Sequence, residues 1–302
     1  MRHGRRLFAI TFLVPAVAVY AVFVISPYLQ AFQISATNWR GLSPKWDYVG
    51  TANFRNLLSD EYFWNALQHN AILLAVLPVA TITLGLFFAS MLSVGGHGGR
   101  AGVHGIPGSG FYRIVYFFPQ VLSVAIIGIL WREMYAPNGG LVNGFLRAVG
   151  LGALARPWLG DPDVAFWAVL FVMIWSNVGF YVVLFGAAMQ SIPREIYEAV
   201  LLDGASRFTT LWRITVPLLW DTIQVAWVYL AIIALDGFAL VQIITNGGPA
   251  FSTDVIGLRL YNTAFADAKF GYASAIGVAM FFVTLSVAIA FLRLSRRERL
   301  EY

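Results

Sequence analysis

The strongest constraint on the fold of this chain is a set of long apolar stretches without Asp, Glu, Lys or Arg. Five of them lie between Arg6 and Arg40, Glu61 and Arg100, Arg113 and Arg132, Asp163 and Arg194, and Lys269 and Arg293. A sixth stretch, residues 222–244, is interrupted only by Asp236. About 20 apolar residues cross the hydrocarbon core of a bilayer. The sequence therefore predicts an all-α polytopic membrane protein with six transmembrane helices, at residues 8–32, 69–94, 113–135, 164–190, 218–244 and 270–293.

The composition agrees with a membrane protein and excludes several other classes. Hydrophobic residues make up 59% of the chain, charged residues 12%, and the mean hydropathy is +0.72, which soluble domains do not show. The absence of cysteine excludes disulfides, thiolate nucleophiles and Cys-based metal sites. The net charge of +5 comes from Arg residues at the ends of apolar stretches rather than from one basic face, so we expect no nucleic-acid partner.

Lys and Arg residues are distributed unevenly between the segments that connect the predicted spans. With the N-terminus inside, the cytoplasmic segments hold 12 of the 20 and hold them more densely. Because cytoplasmic loops are enriched in Lys and Arg, both termini are predicted to be cytoplasmic. The first apolar run continues to Trp39, beyond the hydrophobic region of a cleaved signal peptide. We expect it to be retained as the first helix.

A glycine-rich segment at residues 95–112 invites comparison with a phosphate-binding loop. A loop of that kind needs Lys after its last Gly, whereas the only lysines, Lys45 and Lys269, follow Pro44 and Ala268. The segment is therefore interpreted as a cytoplasmic loop. His97 and His104 within it are weak candidates for a metal site, since no carboxylate or thiol accompanies them.

A polar segment at residues 191–217 lies between two apolar spans and predicts a small helical hairpin outside the bilayer. Pro193 is suited to the start of a helix, and Ile196, Tyr197, Val200 and Leu201 would form one apolar face. Gly204 is expected to end this helix in a left-handed conformation. Ser206 or Thr209 is expected to cap a second helix, which Pro217 would close. Such an amphipathic hairpin is typical of a docking surface.

This hairpin and four other blocks resemble the permease subunits of binding-protein-dependent ABC importers. The other blocks are residues 49–58 (VGTANFRNLL), 138–143 (NGGLVN), 190–193 (QSIP) and 245–249 (TNGGP), of which the last resembles the MalF-type permease of the carbohydrate-uptake branch. The likeness covers nearly the whole chain. It implies one domain over residues 1–302 with a core at 65–294, in the MetI-like permease fold of type I ABC importers. In the hairpin it implies that the ATPase-coupling residues are Glu198, Ala199, Asp203, Gly204, Ala205, Ser206, Ile214 and Pro217.

The resemblance also implies partners and a division of labour. A second permease of the MalG type would complete the path, an external sugar-binding protein would deliver the sugar, and a dimer of ATPase subunits would receive the hairpins. ATP and Mg²⁺ would be bound by that ATPase, and no cofactor by this chain. The location implied is the plasma membrane of a bacterium, among membrane lipids. Val200 departs from the family pattern, which usually has Ala there.

Two groups of residues are candidates for the sugar path. Asp236 is an ionisable group within a span, which is costly unless it faces a cavity, and Gly237 and Phe238 follow it. The family often has an acidic residue where this chain has Ala239. The fourth span offers aromatic rings and polar groups that suit the apolar faces and hydroxyls of sugars, although packing against the partner permease explains them equally well. These residues are Trp175, Asn177, Gly179, Phe180 and Tyr181.

An alternative of another class is an ion- or proton-coupled secondary sugar carrier with Asp236 as its relay. An inverted repeat and further buried carboxylates are typical of such carriers, and the sequence shows neither. The chain has no motif of an enzyme site, so we expect a transport subunit and not an enzyme.

Overall fold

The computed structural model describes residues 2–93 and 108–294. The glycine-rich segment is therefore described only at residues 108–112, and His97 and His104 lie outside the described residues. The described residues are mainly helical, with one isolated antiparallel bridge between Thr37 and Tyr48. The α-helices are α1 Arg2–Tyr20, α2 Ser26–Ser35, α3 Ala52–Leu58, α4 Glu61–Ser93, α5 Ser109–Val121, α6 Val124–Met134, α7 Leu141–Ala148, α8 Pro162–Gln190, α9 Arg194–Leu202, α10 Arg207–Thr210, α11 Val216–Leu218, α12 Trp220–Leu235, α13 Phe238–Ile244, α14 Ile256–Tyr261 and α15 Phe270–Leu294.

Four helical segments are long and apolar enough to cross a membrane, which confirms the predicted helical membrane protein. They are Thr11–Ser35, Glu61–Leu92, Pro162–Gln190 and Phe270–Arg293. Two further pairs of helices meet these criteria only together, because each pair is sharply bent. The described part of the chain therefore has between four and six candidate spans.

The predicted span at 113–135 is wrong as a single helix. It consists of α5 and α6, whose axes differ by 100°. Leu122 is extended (ψ 143°), and Ser123 begins α6 by accepting a hydrogen bond at its Oγ from the N–H of Ile126. Pro119 lies in the last turn of α5, where its ring disfavours a straight continuation. A serine N-cap shortly after a proline is the sequence signal for this bend.

The predicted span at 218–244 is likewise divided. It begins as α12 after an 80° bend at Leu219. The helix then ends at Leu235, and a separate helix, α13, starts at Phe238. Asp236 and Gly237 occupy the interruption. Helix interruptions at membrane depth occur where other groups satisfy the freed backbone.

Two compact units are distinguished within the chain. The first comprises residues 2–64 and 259–294 of the described chain. In this unit α2 packs along α15, with the ring of Phe32 at 5.9 Å from Phe281 and 6.1 Å from Phe282. Gly271 permits a close approach, since a Cβ there would overlap the carbonyl oxygen of Thr37.

The second unit comprises residues 65–258, described except for 94–107. Its centre is α8, on which Val172, Phe185 and Met189 are fully buried. The helices α5, α12 and α13 pack around α8, and α6 packs on α13. Gly128 of α6 lies against Ile243, whose Cγ2 would be 2.6 Å from a Cβ at position 128. The small residue therefore lets these two helices approach closely.

Candidate functional site

Within residues 191–217 the structure has one helical arm on each side of Gly204. The first arm is α9, and Gly204 follows with φ +72°. The N–H of Ala205 donates to the carbonyl of Val200 at 3.2 Å, the bond that closes a helix in a Schellman motif. Ser206 then caps α10, its Oγ accepting from the N–H of Thr209 at 3.2 Å.

The second helical run of the hairpin is longer than one short helix. It extends over Arg207–Leu218 and contains a π-helical turn at Leu211–Thr215. In this turn the N–H of Val216 donates to the carbonyl of Leu211. Pro217 lies one residue before the end of the run, and its missing N–H explains why regular α-helical bonding is not maintained here.

The base of the hairpin is buried in the second unit. Tyr197, Leu211 and Thr215 are almost completely inaccessible. The hydroxyl groups of Tyr197 and Thr215 lie 3.3 Å apart, so the two arms of the hairpin are joined by a hydrogen bond. Burial raises the pKa of Tyr197, although the hydrogen bond to Thr215 opposes this effect. The predicted apolar face of α9 therefore packs inward at Tyr197 and at its neighbour Ile196.

The tip of the hairpin is exposed and mixes charged with large apolar side chains. Leu202 is 89% exposed and Phe208 is 70% exposed. Trp212 is also exposed, with its ring centroid 6.0 Å from that of Phe208. Of the predicted coupling residues, Ala205 and Ile214 are half-buried. The exposed members of the predicted set are Glu198, Ala199, Asp203, Gly204, Ser206 and Pro217.

Leu202, Phe208 and Trp212 were missed by the sequence reasoning. Charged residues lie next to each of them in the sequence. The signal that could have revealed this surface was the apolar Leu202 directly before Asp203 and Gly204. Three large apolar side chains are thus exposed within about ten residues of each other near the turn.

The helix interruption at Asp236–Gly237 is stabilised by a buried asparagine of α4. Asn70 is 1% exposed, and its Nδ2 donates to the carbonyl of Ala234 at 3.1 Å. Its Oδ1 accepts from the N–H of Ile256 at 2.8 Å. One amide therefore satisfies a carbonyl at the end of α12 and an N–H at the start of α14. Hydropathy alone did not single out Asn70, a buried amide within an apolar span.

Its neighbour His69 holds the segment that follows α13. The Nδ1 of His69 lies 2.7 Å from the carbonyl oxygen of Asp254, and its ring stacks on Phe166 at 4.7 Å. In the same segment the hydroxyls of Thr245 and Thr253 are 2.7 Å apart. Asn70 and His69 thus fix both sides of the α13 segment from one turn of α4.

The candidate sugar-path residues near the interruption differ in exposure. Asp236 is exposed on this chain, while Gly237 is buried and Phe238 is half-buried. A Cβ at Gly237 would lie 3.2 Å from Cε of Met173. Asn177 donates to the carbonyl of Met173 at 2.8 Å. The structure therefore brings the interruption next to the part of α8 that carries Asn177.

The other candidates on α8 have different surroundings. Trp175 is half-buried, with its ring 5.2 Å from Trp131. Tyr181 is buried in the core, whereas Phe180 is exposed. Gly179 lies at the crossing with α5, where a Cβ would overlap the carbonyl oxygen of Tyr116. Helix packing explains Gly179 and Tyr181, whereas Asp236 and Phe180 are exposed on this chain.

Three blocks that carried the family resemblance close turns. Asn53 donates to the carbonyls of Ser35 and Thr37, at 2.8 Å each. Asn143 donates to the carbonyl of Arg156 at 2.9 Å and accepts from Trp158 Nε1 at 2.8 Å. In the 245–249 block the peptide bond between Gly248 and Pro249 is cis.

Comparisons with known proteins agree with this architecture. Residues 4–300 match the family described as binding-protein-dependent transport system inner membrane component. The chain is 45% identical over 286 residues to the diacetylchitobiose uptake system permease protein NgcF of Streptomyces coelicolor, covering 94% of this chain and 81% of that protein. It is 33% identical over 287 residues to the multiple sugar-binding transport system permease protein MsmF of Streptococcus mutans, covering 95% and 93%.

A solved structure shows the same fold. It is a chain of a bacterial ABC transporter involved in the import of the acidic polysaccharide alginate, with a TM-score of 0.81 and 23% identity. The match covers 97% of this chain and 96% of that one. The predicted MetI-like fold and family resemblance are confirmed, and the alternative of a secondary carrier loses its basis. This chain belongs to the binding-protein-dependent transport system inner membrane components, the membrane-spanning permease subunits of ABC importers.

Proposed function

We propose that this chain is the MalF-type permease of an ATP-driven sugar importer and that its 191–217 hairpin receives the movement of a separate ATPase. The observation that carries the proposal is the contrast within the hairpin. Its base, at Tyr197 and Leu211, is buried, and its tip, at Leu202 and Phe208, is exposed. A segment of this kind is fixed to the membrane domain and open to a partner.

The exposed tip suits an ATPase groove chemically. Leu202, Phe208 and Trp212 would fill apolar pockets, and such buried aromatic anchors provide much of the energy of an interface. Glu198 and Asp203 would accept hydrogen bonds or ion pairs from the ATPase. The left-handed Gly204 keeps the turn between the two helices compact.

The buried base allows the hairpin to transmit a displacement. Packed helices move as rigid bodies when a partner closes, and the Tyr197–Thr215 hydrogen bond ties the two arms together. Movement of the tip would then reach α12, which begins directly after the 80° bend at Leu219. ATP and Mg²⁺ would be bound and used by the ATPase dimer.

We further propose a sugar path beside the interruption of the fifth span. Asp236 and Phe180 are exposed on this chain, so they would face a second permease of the MalG type and the path between the two subunits. Asn177 and Trp175 would add an amide and an aromatic plane, which suit a sugar. Packing against the second permease remains the competing role for Trp175.

The substrate is proposed to be a neutral or N-acetylated mono- or oligosaccharide. The 45% identity to a diacetylchitobiose uptake permease supports this class. A sugar-binding protein would deliver the substrate from outside to the segments at 136–163 and 245–269. In this arrangement both termini lie in the cytoplasm of a bacterial cell.

Vesicle transport measurements test the coupling role. The permease would be reconstituted with its co-purifying permease, ATPase and binding protein, and the uptake of N,N′-diacetylchitobiose would be followed with ATP inside. Gly204→Asp and Glu198→Lys should abolish uptake while the chain stays in the membrane. Gly110→Ala is the matched control, because a Cβ there has no neighbour within 4 Å. Full uptake in both hairpin variants would refute the role.

A further inference from the structure

A pocket of about 420 Å³ lies within the first unit, which contains neither the hairpin nor the interrupted span. The residues that line it include Trp39, Arg40, Asn56 and Lys269. The proposed function assigns no role to this pocket. It combines two cations, an amide and an aromatic ring, which is the composition of a site for an anion with an organic part.

The loop that carries Arg40 is held firmly against the start of α15. Gly41 has φ +82°, and its backbone approaches the ring of Phe270. The N–H of Gly271 donates to the carbonyl of Trp39 at 2.9 Å, and the rings of Trp39 and Phe270 are 5.4 Å apart. These contacts, all within the first unit, place Arg40 and Lys269 at one pocket.

Within residues 2–93 and 108–294, neither Arg40 nor Lys269 forms an ion pair. The nearby carboxylates have other partners. Asp47 interacts with the side chain of Asn38, and Asp60 with Tyr272 and Arg259. Arg40 and Lys269 are thus cations of the pocket without an ion-pair partner among the described residues, while Asp47 beside Asn38 keeps its own negative charge.

The pocket adjoins the ends of two candidate spans. Arg40 follows the end of the span Thr11–Ser35 by five residues, and Lys269 directly precedes the span Phe270–Arg293. Trp39 also borders a second, smaller pocket of about 240 Å³, which is lined by Trp46 as well. Aromatic rings and cations next to span ends are typical of the membrane–water interface.

We propose that this pocket binds a phosphate group, and specifically the phosphodiester headgroup of an anionic phospholipid. The guanidinium group of Arg40 provides a planar fork for two phosphate oxygens, and the ammonium group of Lys269 adds a point charge. Asn56 would donate to a further oxygen, and Trp39 would cover the glycerol. A free phosphate ion offers the same oxygens, and the experiment separates the two sources.

Native mass spectrometry of the assembled transporter in detergent tests the proposal. Phosphatidylglycerol or phosphatidylcholine is added in steps, and the bound lipid is counted for the wild type and for the double variant Arg40→Gln/Lys269→Gln. We expect one phosphatidylglycerol site whose affinity falls by about tenfold or more in the double variant, because each cation contributes to anionic-lipid binding. Phosphatidylcholine binding should not change.

Arg55→Gln is the matched control, since Arg55 is an exposed cation of α3 that does not line the pocket. It should bind phosphatidylglycerol like the wild type. If millimolar inorganic phosphate displaces phosphatidylglycerol, the pocket is a phosphate site that the free ion also fills. If phosphate does not displace it, the lipid headgroup is the ligand. Equal phosphatidylglycerol affinity in wild type and double variant, or equal losses in the double variant and Arg55→Gln, would overturn the proposal.

Discussion

The hydroxyl group of Tyr197 lies 3.3 Å from that of Thr215, which joins the first and second arms of the hairpin at a buried point. Tyr197 belongs to α9, and Thr215 is the last residue of the π-helical turn in the second arm. The bond fixes the separation of the arms below an exposed tip. The stiffness of the hairpin should therefore depend on it.

Loss of the Tyr197–Thr215 hydrogen bond should weaken the coupling of sugar uptake to ATP hydrolysis while the transporter still assembles. Tyr197→Phe loses one hydrogen bond, worth about 0.5–1.5 kcal/mol, and Tyr197→Ala also leaves a cavity, at a cost of about 3–5 kcal/mol. We predict fewer sugar molecules imported per ATP hydrolysed, slightly for Phe and strongly for Ala. Parallel uptake and ATPase measurements give this ratio, with the exposed Tyr48→Phe as control. An unchanged ratio in Tyr197→Ala would show that the base does not transmit movement.

Much of this hairpin could be predicted from the sequence, because its signals are local. Pro193, Gly204 and Ser206 act through their own backbone conformation or an immediate neighbour, and each lies where it was expected. The interruption of the fifth span was not predicted. It depends on Asn70, which is 164 residues away from Ala234 in the sequence. Hydropathy records how apolar a segment is and not which distant amide satisfies its carbonyl.

The exposed tip and the sugar path were predicted less completely for a related reason. Leu202 and Phe208 resemble ordinary membrane residues in composition, and only the fold reveals that they point away from the core. The sequence alone places Gly179 among the path candidates. Its close approach to the backbone of Tyr116 results from the crossing of α8 with α5, which the sequence of α8 alone does not reveal.

Asn70→Leu should destabilise the second unit. The substitution keeps the branched shape and the number of side-chain heavy atoms but leaves the carbonyl of Ala234 and the N–H of Ile256 without their partner. An unsatisfied buried group costs about 1–3 kcal/mol. We predict a lower Tm of the purified transporter, measured by differential scanning fluorimetry. Gln68→Ala, on an exposed position of the same helix, should leave Tm unchanged, and an equal Tm in Asn70→Leu would contradict the account of the interruption.

Gly179→Val should separate α8 from α5. A Cβ at this position would overlap the carbonyl oxygen of Tyr116, so the backbone must move to accept the side chain. Overpacking typically costs about 1–3 kcal/mol. We predict a reduced yield of folded permease in size-exclusion chromatography in detergent. Gly110→Val is the comparison, because a Cβ there has no neighbour within 4 Å; equal yields for both variants would argue against this tight crossing.

The stability of the first unit should depend on the ionisation of Asp60. Burial opposes ionisation, but the hydrogen bond from Tyr272, the charge of Arg259 and the N–H groups of Phe63 and Tyr62 together lower the pKa of Asp60. The unfolded pKa is about 3.9. The carboxylate therefore contributes stability above that pH, and the contribution is lost as pH falls through the lower folded pKa.

Comparison of the wild type with Asp60→Asn tests this dependence. We predict that the variant has the lower Tm at pH 7 and that the difference narrows below about pH 4. Thermal unfolding of the purified transporter between pH 3 and pH 7 provides the measurement. A difference that stays constant over this range would show that the charge of Asp60 is not involved.

Cross-linking from the exposed tip of the hairpin tests directly whether an ATPase subunit binds there. The chain has no cysteine, so a cysteine introduced as Phe208→Cys is its single thiol and can be labelled with a maleimide photo-cross-linker before the purified permease is assembled with its partner subunits. Mass spectrometry then identifies the attached protein, with Leu141→Cys, exposed on α7, as the control. We predict that the probe at position 208 attaches to the ATPase subunit and the probe at 141 does not. Attachment of the 208 probe to the binding protein, or to no ATPase peptide, would contradict it.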